Sequence, residues 1–511
     1  MQNNDKKVLL RISNLKQYFP LKDGRFVKAN DGITLDIYEG ETFGLVGESG
    51  CGKSTLGRTI LQLYHQTYGR TMYYGRSLDD LAPKYVIDTV KNLKARRTKL
   101  RELEQKRDKL EADYAKLSEK EQYAKHGELD TARKLAEDAL LDITKIVGGF
   151  LVVDDLDPVI AAYSKDYAIA RKLSSMEEKR QELQVDMDDA EYAKKTAEEA
   201  GKSGKDGQLQ KAQEKLKQCD DQIAALRAQL DAGRKEIEAL RAPYANDPEF
   251  QKYEAYRDDG IDLARLEYNE MRRLRRDMQL IFQDPYSSLN PRMSVGQIIS
   301  EGMQAHNMIK KKDARMQEMV LKIMDDCGLA PYFLHRFPHQ FSGGQRQRIG
   351  IARALATKPK FVVCDEAVSA LDVSIQAQII NLLLDLKEQQ NLTYMFITHD
   401  LSVVKYISDR VGVMYLGTMV ELAAADEIFH HPIHPYTEAL LNAIPTTDTV
   451  GAKELSILEG DIPSPVNPPK GCKFHTRCKY CTEICTQVVP EWEEVRPNHF
   501  VACHHKLEAK E

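Results

Sequence analysis

The chain has 511 residues and a formal net charge of −5, and 30% of its residues are charged. A chain of this length has room for two or three domains. A net charge this small disfavours a general nucleic-acid-binding surface, so no nucleic-acid partner is expected. No apolar run approaches the roughly eighteen residues of a membrane-spanning helix, and the N-terminus does not resemble a secretory signal. We expect an unprocessed cytosolic chain that could serve a membrane only as a peripheral subunit.

Composition divides the chain into three kinds of segment. Residues 1–78 and 263–430 alternate short apolar stretches with turns, which predicts one interrupted α/β domain. The interruption, residues 79–262, is dominated by Lys, Glu, Asp, Ala, Leu and Gln. Residues 431–511 are rich in Pro and Cys and predict a small C-terminal lobe.

A glycine-rich loop lies in the first segment, between an apolar strand and a helix pattern. It reads GLVGESGCGKST over residues 44–55, and this is the context that a phosphate-binding loop requires. Its glycines let backbone N–H groups close around phosphates. We expect Lys53 to reach the β- and γ-phosphates of a nucleotide and Ser54 to bind Mg²⁺. The predicted nucleotide-contacting residues here are Gly47, Glu48, Ser49, Gly50, Cys51, Gly52, Lys53, Ser54 and Thr55.

The middle segment has the periodicity of packed helices. Apolar residues recur there in steps of three and four, with Gly233 at one of the positions, and this spacing predicts a coiled coil. The segments GKSGKDG (201–207) and 148–158 predict a flexible turn and a link between helical stretches. We predict two antiparallel helical hairpins that form an arm, and the alternative is a disordered charged linker. The periodic positions are Leu209, Ala212, Leu216, Cys219, Ile223, Leu226, Leu230, Ile237 and Leu240.

A second apolar strand, FVVCDE (361–366), ends in two acidic residues. Asp365 suits the ligand shell of Mg²⁺, and Glu366 suits a group that orients or deprotonates an attacking water. Paired acids after an apolar strand are weak evidence alone. Behind a phosphate-binding loop they indicate nucleotide hydrolysis.

The segment FSGGQRQRIGIARAL (341–355) resembles the signature of ABC (ATP-binding cassette) ATPases. Its first residues stand at a predicted helix start, where a hydroxyl and backbone amides can grip a phosphate. The resemblance implies a RecA-like core, an antiparallel β lobe and a helical signature lobe. It also implies that ATP and Mg²⁺ are bound, and that this signature grips the nucleotide of a second ATPase subunit. The signature residues are Ser342, Gly343, Gly344 and Gln345.

Further residues follow in the order of the family's motifs. Gln283 in LIFQDPYSSLNP matches the loop that senses Mg²⁺ and water and contacts the membrane subunit. Asp372 in SALD matches the loop that crosses the dimer interface, and His399 in FITHDLS matches the histidine that contacts the γ-phosphate. Phe19 stands where the family stacks an aromatic ring on adenine, with Tyr18 as the alternative.

No catalytic position departs from the family's pattern, so the resemblance implies a competent ATPase. It assigns catalysis to Lys53, Gln283, Glu366 and His399. It assigns Mg²⁺ to Ser54, Gln283 and Asp365.

The C-terminal region narrows the resemblance. The segments HPIHPYTEALLNAIP (431–445) and EGDIPSPVNPPKGCKFHTRC (459–478) resemble ATPase subunits of oligopeptide and dipeptide importers. Those importers pair two different ATPases with two membrane-spanning permease subunits and an extracytoplasmic binding protein. The N-terminal segment ISNLKQYFPLKDGRFVKANDGITLDI resembles the F-type ATPase subunit. Importers of nickel, glutathione and other small solutes share much of this tail and are the alternative.

Five cysteines crowd the tail in the pattern C-x5-C-x2-C-x3-C-x17-C. In the resembling family Cys472, Cys478, Cys485 and Cys503 stand at frequent cysteine positions, whereas Cys481 is additional. Four thiolates are suitable ligands for Zn²⁺ or for an iron–sulfur cluster. The alternative is a small lobe with reduced thiols.

The middle segment is the departure from the family. It separates Lys53 from Gln283, and its charge-rich helices hold no catalytic constellation, so we favour the docking of an unknown partner over a passive insertion. Chromosome-maintenance ABC ATPases also contain coiled coils, but there the coil follows the Gln loop. Here the coil precedes Gln283, which disfavours a role in DNA maintenance.

Overall fold

The computed structural model describes the backbone of residues 6–201, 206–310, 313, 315–443 and 460–507, with all their side chains except those of residues 119–121, 123, 124 and 126. The chain forms two compact units: Met1–Gly75 with Met271–Glu511, and Arg76–Glu270. The second unit extends further at both ends than the segment set apart by composition. None of the helices in the described part of the chain has the length and apolar character that crossing a bilayer requires.

The elements are numbered in chain order. The strands are β1 (Val8–Pro20), β2 (Phe26–Tyr38), β3 (Thr42–Val46), β4 (Tyr68–Tyr73), β5 (Ile261–Asp262), β6 (Met278–Ile281), β7 (Phe361–Asp365), β8 (Thr393–Ile397), β9 (Arg410–Tyr415), β10 (Thr418–Ala424), β11 (Glu493–Arg496) and β12 (His499–Val501). The helices are α1 (Lys53–Ile60), α2 (Leu78–Leu81), α3 (Lys84–Lys91), α4 (Leu93–Tyr114), α5 (Glu119–Val147), α6 (Asp157–Glu199), α7 (Asp206–Arg241), α8 (Pro248–Glu254), α9 (Tyr268–Leu274), α10 (Val295–Ala305), α11 (Met316–Asp326), α12 (Gly343–Leu355), α13 (Val373–Gln390), α14 (Leu401–Ile407), α15 (Ala425–His430), α16 (Pro435–Asn442) and α17 (Glu483–Gln487).

The first unit is built on one large mixed sheet. Its strand order is β11-β12-β10-β9-β3-β8-β7-β6. The strands from β9 to β6 run parallel, and β10, β12 and β11 add antiparallel pairs at one end. Every residue of β3, β7, β8 and β9 is buried, as expected for parallel strands covered on both faces.

A smaller antiparallel sheet holds the N-terminal strands. In it β1 pairs with both β2 and β4, with Phe19 opposite Val27 and Leu10 opposite Tyr73. This arrangement fits the antiparallel β lobe that the resemblance implies. It places the aromatic pair Tyr18 and Phe19 at the end of β1.

Helices α10 to α13 share a core with the strands β6 to β8. Fully buried side chains such as Ile299, Ile349 and Ile379 pack with Val362 of β7. Burial of one such side chain contributes about 1.5–3 kcal/mol. This packing fixes the starts of α12 and α13, which carry the signature residues and Asp372.

In the second unit, α4 and α5 form one helical hairpin. Arg96 of α4 lies 3.9 Å from Asp142 of α5, and Glu111 pairs with Arg133 at 2.6 Å. A later residue of α4 therefore meets an earlier residue of α5, so the two helices run antiparallel.

Helices α6 and α7 form the second hairpin. Lys165 pairs with Glu236 at 2.7 Å and Glu177 pairs with Arg227 at 2.8 Å, so these helices also run antiparallel. Residues 202–205 of the predicted turn between them lie outside the described residues. The periodic positions of α7 are buried or half-buried. At Gly233 an added Cβ would lie 2.7 Å from Asp166 Oδ1, which explains a glycine there.

Candidate nucleotide-binding site

The phosphate-binding loop connects the end of β3 at Val46 to the start of α1 at Lys53. Gly47 and Gly52 have φ angles of 149° and 102°. A Cβ at Gly47 would lie 2.2 Å from the Met414 carbonyl oxygen, and one at Gly52 would lie 2.1 Å from the Ala29 carbonyl oxygen. Both positions therefore require glycine for space as well as for backbone conformation.

The remaining loop residues surround these two glycines. Ser49 and Gly50 form its exposed tip, Cys51 is buried, and Thr55 lies in the first turn of α1. The loop thus presents backbone at the positive end of a helix, where an anion is favoured.

Lys53 lies beneath the loop with only 4% of its surface exposed. Its Nζ donates to the carbonyl oxygens of Gly47 at 2.7 Å and Glu48 at 3.0 Å. A third, longer contact runs from Nζ to Cys51 Sγ at 3.8 Å, so a phosphate oxygen would replace one of these uncharged acceptors. The side chain is thus held inside the loop that the sequence predicts to bind phosphates.

Two of the three residues predicted for Mg²⁺, Ser54 and Asp365, meet at the start of α1, whereas Gln283 contacts Glu366. The Ser54 hydroxyl donates to Asp365 Oδ1 at 2.5 Å, and Arg58 Nη2 donates to Asp365 Oδ2 at 3.0 Å. The Asp365 side chain is 1% exposed, so this ion pair compensates a buried charge. A hydroxyl and a carboxylate are hard oxygen ligands of the kind Mg²⁺ prefers, so the residues present fit the ion. The sequence analysis did not single out Arg58.

Glu366 joins two other predicted catalytic side chains. Gln283 Nε2 donates to Glu366 Oε2 at 2.5 Å, and His399 Nδ1 lies 3.4 Å from Glu366 Oε1. The Glu366 backbone has a φ of 47°, and its N–H donates to the Ile397 carbonyl oxygen at 2.9 Å. A non-glycine residue in this left-handed region is uncommon and typical of functional sites.

These residues come together because they follow parallel strands of one sheet. The phosphate-binding loop follows β3, Gln283 follows β6, Glu366 follows β7 and His399 follows β8. The carboxyl ends of parallel strands lie at one edge, which is where ligands bind in open α/β sheets. Topology thus assembles positions that are far apart in the chain.

The signature and the neighbouring SALD loop form a second, exposed group. Ser342 caps α12 by accepting from the Gln345 N–H, and Asp372 caps α13 by accepting from the Ile375 N–H. The Ile375 N–H bond holds the pKa of Asp372 below its usual value. A Cβ on Gly344 would lie 2.5 Å from Ile375 Cγ2, so the two helix starts pack closely.

The aromatic candidates for adenine have different surroundings. Phe19 packs edge-on against Tyr64, with ring centroids 5.4 Å apart. The Tyr18 hydroxyl donates to Asp31 Oδ1 at 2.5 Å, and Asp31 also pairs with Lys473 at 3.1 Å. Both rings thus have an edge-on aromatic neighbour, Tyr68 for Tyr18 and Tyr64 for Phe19, but only Tyr18 is also held by a hydrogen bond of its hydroxyl.

The C-terminal region contacts the phosphate-binding loop directly. The Glu48 N–H donates to the Tyr436 hydroxyl at 2.9 Å. Arg477 donates to both carboxylate oxygens of Glu48, at 2.7 and 3.0 Å. The sequence analysis quoted the segments that contain Tyr436 and Arg477 but assigned these residues no role, because their partner lies hundreds of positions away in the chain.

The tail cysteines are all free thiols. Burial raises the pKa of Cys472 to about 11 and that of Cys503 to about 12. In the part of the chain that the structure describes, no group of three or more His, Cys, Asp or Glu side chains is arranged to hold a metal ion. In the described residues, Cys472, Cys478, Cys485 and Cys503 are therefore not gathered into one ligand set.

Two family models match the chain. The model described as ABC transporter matches residues 30–251 and 251–369, and that described as oligopeptide/dipeptide transporter, C-terminal region, matches residues 420–485. Together they cover the phosphate-binding loop, Gln283, the signature, Glu366 and the tail residues that contact the loop, whereas Phe19, Asp372 and His399 lie outside both matches.

Known relatives agree with the family models. The chain is 52% identical over 250 residues to the oligopeptide transport ATP-binding protein AppF of Bacillus subtilis, which covers 48% of this chain and 75% of AppF. It is 34% identical over 498 residues to YkfD of the same organism, named as an oligopeptide transport ATP-binding protein, covering 97% of this chain and 95% of YkfD. The solved structure of cbiO1 from Clostridium perfringens is 16% identical, covers 83% of this chain and 92% of that chain, and has a TM-score of 0.40, too low to carry an argument. From the family models and these relatives, the chain belongs to the ABC transporter ATP-binding proteins of the oligopeptide/dipeptide importer family.

Proposed function

We propose that the chain hydrolyses ATP to power import of oligopeptides or dipeptides, as a peripheral subunit at the cytoplasmic face of the membrane. One observation carries this proposal: the Glu366 carboxylate contacts both Gln283 and His399 beside the phosphate-binding loop. The C-terminal match at residues 420–485 and the name of AppF support the class of cargo. Importers of nickel, glutathione or other small solutes are the second candidate.

The side chains divide the chemistry among them. Lys53 would exchange loop carbonyls for the β- and γ-phosphate oxygens, and Ser54 and Asp365 would hold Mg²⁺. When bound, Mg²⁺ neutralises charge that develops on the phosphates. Glu366 would accept the proton of the attacking water, with Gln283 and His399 positioning its carboxylate.

The exposed group of Ser342, Gly343 and Asp372 supports pairing with a second ATPase subunit. The starts of α12 and α13 present helix N-termini, which favour phosphate. In this arrangement each signature would grip the γ-phosphate held by the opposite subunit. A heterodimer, with this chain as the F-type subunit, is the form we propose.

Two permease subunits and an extracytoplasmic peptide-binding protein complete the proposed complex. The Gln283 loop of this chain would contact the permease subunits. Affinity purification of the tagged chain from detergent-solubilised native membranes tests the assembly. We expect two polytopic membrane proteins and a second ABC ATPase to follow the chain. Recovery with DNA-associated or ribosomal proteins alone would contradict the proposal.

The tail cysteines carry a separate proposal, supported by chemistry rather than by their arrangement. Four thiols in one short region are suitable for Zn²⁺ or an iron–sulfur cluster once deprotonated. Elemental analysis of anaerobically purified protein tests this, with the Cys485→Ser variant as comparison and Cys481→Ser as control. Absence of both zinc and iron from the wild type would reject it.

The helical hairpins of residues 79–262 carry the third proposal, that they form a coiled-coil arm which docks a cytosolic partner. The ion pairs between α4 and α5 and between α6 and α7 support two antiparallel hairpins. The exposed positions of these helices are rich in charged residues, so they would suit a partner whose surface carries complementary charge.

A further inference from the structure

Glu48 of the phosphate-binding loop is held by contacts to its backbone carbonyl, its backbone N–H and its side chain. Its carbonyl oxygen accepts from Lys53 Nζ at 3.0 Å, and its N–H donates to the Tyr436 hydroxyl at 2.9 Å. Its carboxylate accepts two bonds from Arg477, at 2.7 and 3.0 Å. Two of these three contacts come from the C-terminal region.

The C-terminal contacts are rigidly supported. The Arg477 side chain is 5% exposed, and its guanidinium lies 6.0 Å from the centre of the Tyr415 ring. Tyr436 is fully buried, with its ring centroid 4.8 Å from that of Tyr415 and 5.2 Å from that of Phe474. We call Tyr415, Tyr436, Phe474 and Arg477 the loop brace.

The segment that carries Arg477 also reaches the adenine side of the site. Lys473 Nζ donates to Asp31 Oδ2 at 3.1 Å and to the Leu416 carbonyl oxygen at 3.2 Å. Asp31 in turn accepts from the hydroxyl of Tyr18, the neighbour of Phe19. Lys473 and Arg477, only four positions apart, thus contact Asp31, the partner of Tyr18, and Glu48 of the phosphate-binding loop.

The negative charge of Glu48 makes its contact with Arg477 important for nucleotide binding. A carboxylate in a phosphate-binding loop repels the polyphosphate that the loop must hold. A bidentate guanidinium neutralises that charge and fixes the side chain in one direction. Loss of Arg477 would leave a negative charge free to turn toward the phosphates.

We propose that the loop brace makes the C-terminal region a positioning element of the nucleotide site, and that Arg477 sets ATP affinity by neutralising Glu48. The inference rests on the nucleotide site of the proposed function. Arg477 acts through Glu48 rather than through Glu366, Gln283 or His399, so it affects nucleotide binding rather than the chemical step.

The test is a titration of the purified full chain with a fluorescent ATP analogue and Mg²⁺. R477A should raise the Kd for the analogue about tenfold. An unpaired Glu48 carboxylate would repel the phosphates more strongly than a fully solvent-screened charge does, and less strongly than a fully buried one. R477K should recover part of the loss, since lysine keeps the charge but not the bidentate geometry. In an E48Q background the same R477A change should alter Kd less than twofold. R496A is the control, because it removes a half-buried arginine of the same region that pairs with Glu427 instead of Glu48.

Steady-state ATPase kinetics separates positioning from damage to the fold. R477A should raise KM for ATP with kcat within about twofold of wild type, because the Glu366 cluster is unchanged. An unchanged Kd in R477A, or an equal loss in the Glu48 and E48Q backgrounds, would overturn the inference. A wild-type chain that binds no nucleotide would instead reject the proposed function, and the inference with it.

Discussion

At the scale of single residues, Glu366 combines an uncommon backbone conformation with two side-chain partners. Its φ of 47° places it in the left-handed region, which costs of order 1–3 kcal/mol for a residue with a side chain. The backbone bond to Ile397 and the contacts with Gln283 and His399 hold it there. The strained position directs the carboxylate to the place where these two side chains meet.

We expect E366Q to bind ATP but to lose turnover by about 10²-fold or more, because the amide keeps the shape of the side chain but cannot accept a proton. Phosphate release by the purified ATPase pair measures the loss, and nucleotide titration confirms that binding persists. E388Q, on the exposed face of α13, is the matched control. Near-normal hydrolysis by E366Q would contradict the proposed role of this carboxylate.

His434 predicts how stability depends on pH. Burial lowers its pKa from 6.5 to about 4, although the nearby Glu421 opposes the shift. The unfolded chain therefore binds a proton between these values that the folded chain does not. This stabilising contribution is complete above pH 6.5 and is lost as pH falls toward 4, by about 3 kcal/mol in total.

The variant H434N should flatten this dependence. His434 caps α16 by accepting the Tyr436 N–H, and asparagine can cap in the same way without titrating. Chemical denaturation at pH 7.5 and pH 5 should show a smaller difference in free energy of unfolding for H434N than for wild type. His499 lies 2.7 Å from the same Glu421, so H499N is the comparison that tests whether the slope belongs to His434. Equal slopes for H434N and wild type would count against the assignment.

At the scale of elements, the turn Gly148–Val152 shows how tightly the helical unit is packed. A Cβ on Gly149 would lie 2.5 Å from the Phe250 ring and 2.6 Å from its carbonyl oxygen. Phe250 is itself buried and stacks on Tyr244 at 5.4 Å. A backbone neighbour cannot rotate away, so this position has no room for a side chain.

We therefore expect G149A to destabilise the unit Arg76–Glu270 by about 1–3 kcal/mol, the usual cost of overpacking. Limited proteolysis across a temperature series, followed at cleavage sites within this unit, measures the change. G207A is the matched control, because an added Cβ there meets nothing within 4 Å. If G149A resists proteolysis as well as G207A does, the packing argument is wrong.

The sequence predicted those elements whose pattern is formed by residues close together in the chain. The spacing of Leu216, Cys219 and Ile223 located the buried face of α7, because helix periodicity places every third or fourth residue on one side. The phosphate-binding loop and the acidic strand were likewise readable from neighbours in the chain. The glycine at position 233 interrupts the apolar pattern, but the sequence does not explain it. The explanation is the side chain of Asp166 on α6, which occupies the space that a Cβ would need.

Long-range contacts were beyond the sequence. Arg477 and Glu48 are separated by 429 positions, and an arginine between two cysteines carries no sign of its partner. Tyr436 stands in a segment whose resemblance was noted, but its bond to the loop depends on how the tail folds back over the sheet. Local periodicity contains no information about such pairings.

At the scale of the whole molecule, each predicted site residue lies in the unit formed by Met1–Gly75 and Met271–Glu511. The other unit interrupts the chain without contributing a nucleotide-contacting side chain to the predicted set. The ATP site and the helical unit can therefore be tested separately by deletion.

Deletion of residues 82–258 should leave ATP affinity within about twofold of wild type and remove one associated protein from material purified from native membranes. Nucleotide titration and mass spectrometry of the co-purified proteins measure the two results. Unchanged association together with unchanged peptide uptake would favour a passive insertion. Loss of nucleotide binding on deletion would contradict the independence of the two units.

The short hairpin of β11 and β12 protects an edge of the large sheet that an incomplete chain would leave exposed. By pairing with Glu421 and Leu422, β12 covers a border of the large sheet whose N–H and C=O groups would otherwise be open to another chain. The new border, β11, carries Glu493, Glu494 and Arg496, and charges of this kind discourage strand addition. A product truncated before His499 would expose β10, and we expect it to aggregate through its sheet edge even if the ATP site were complete.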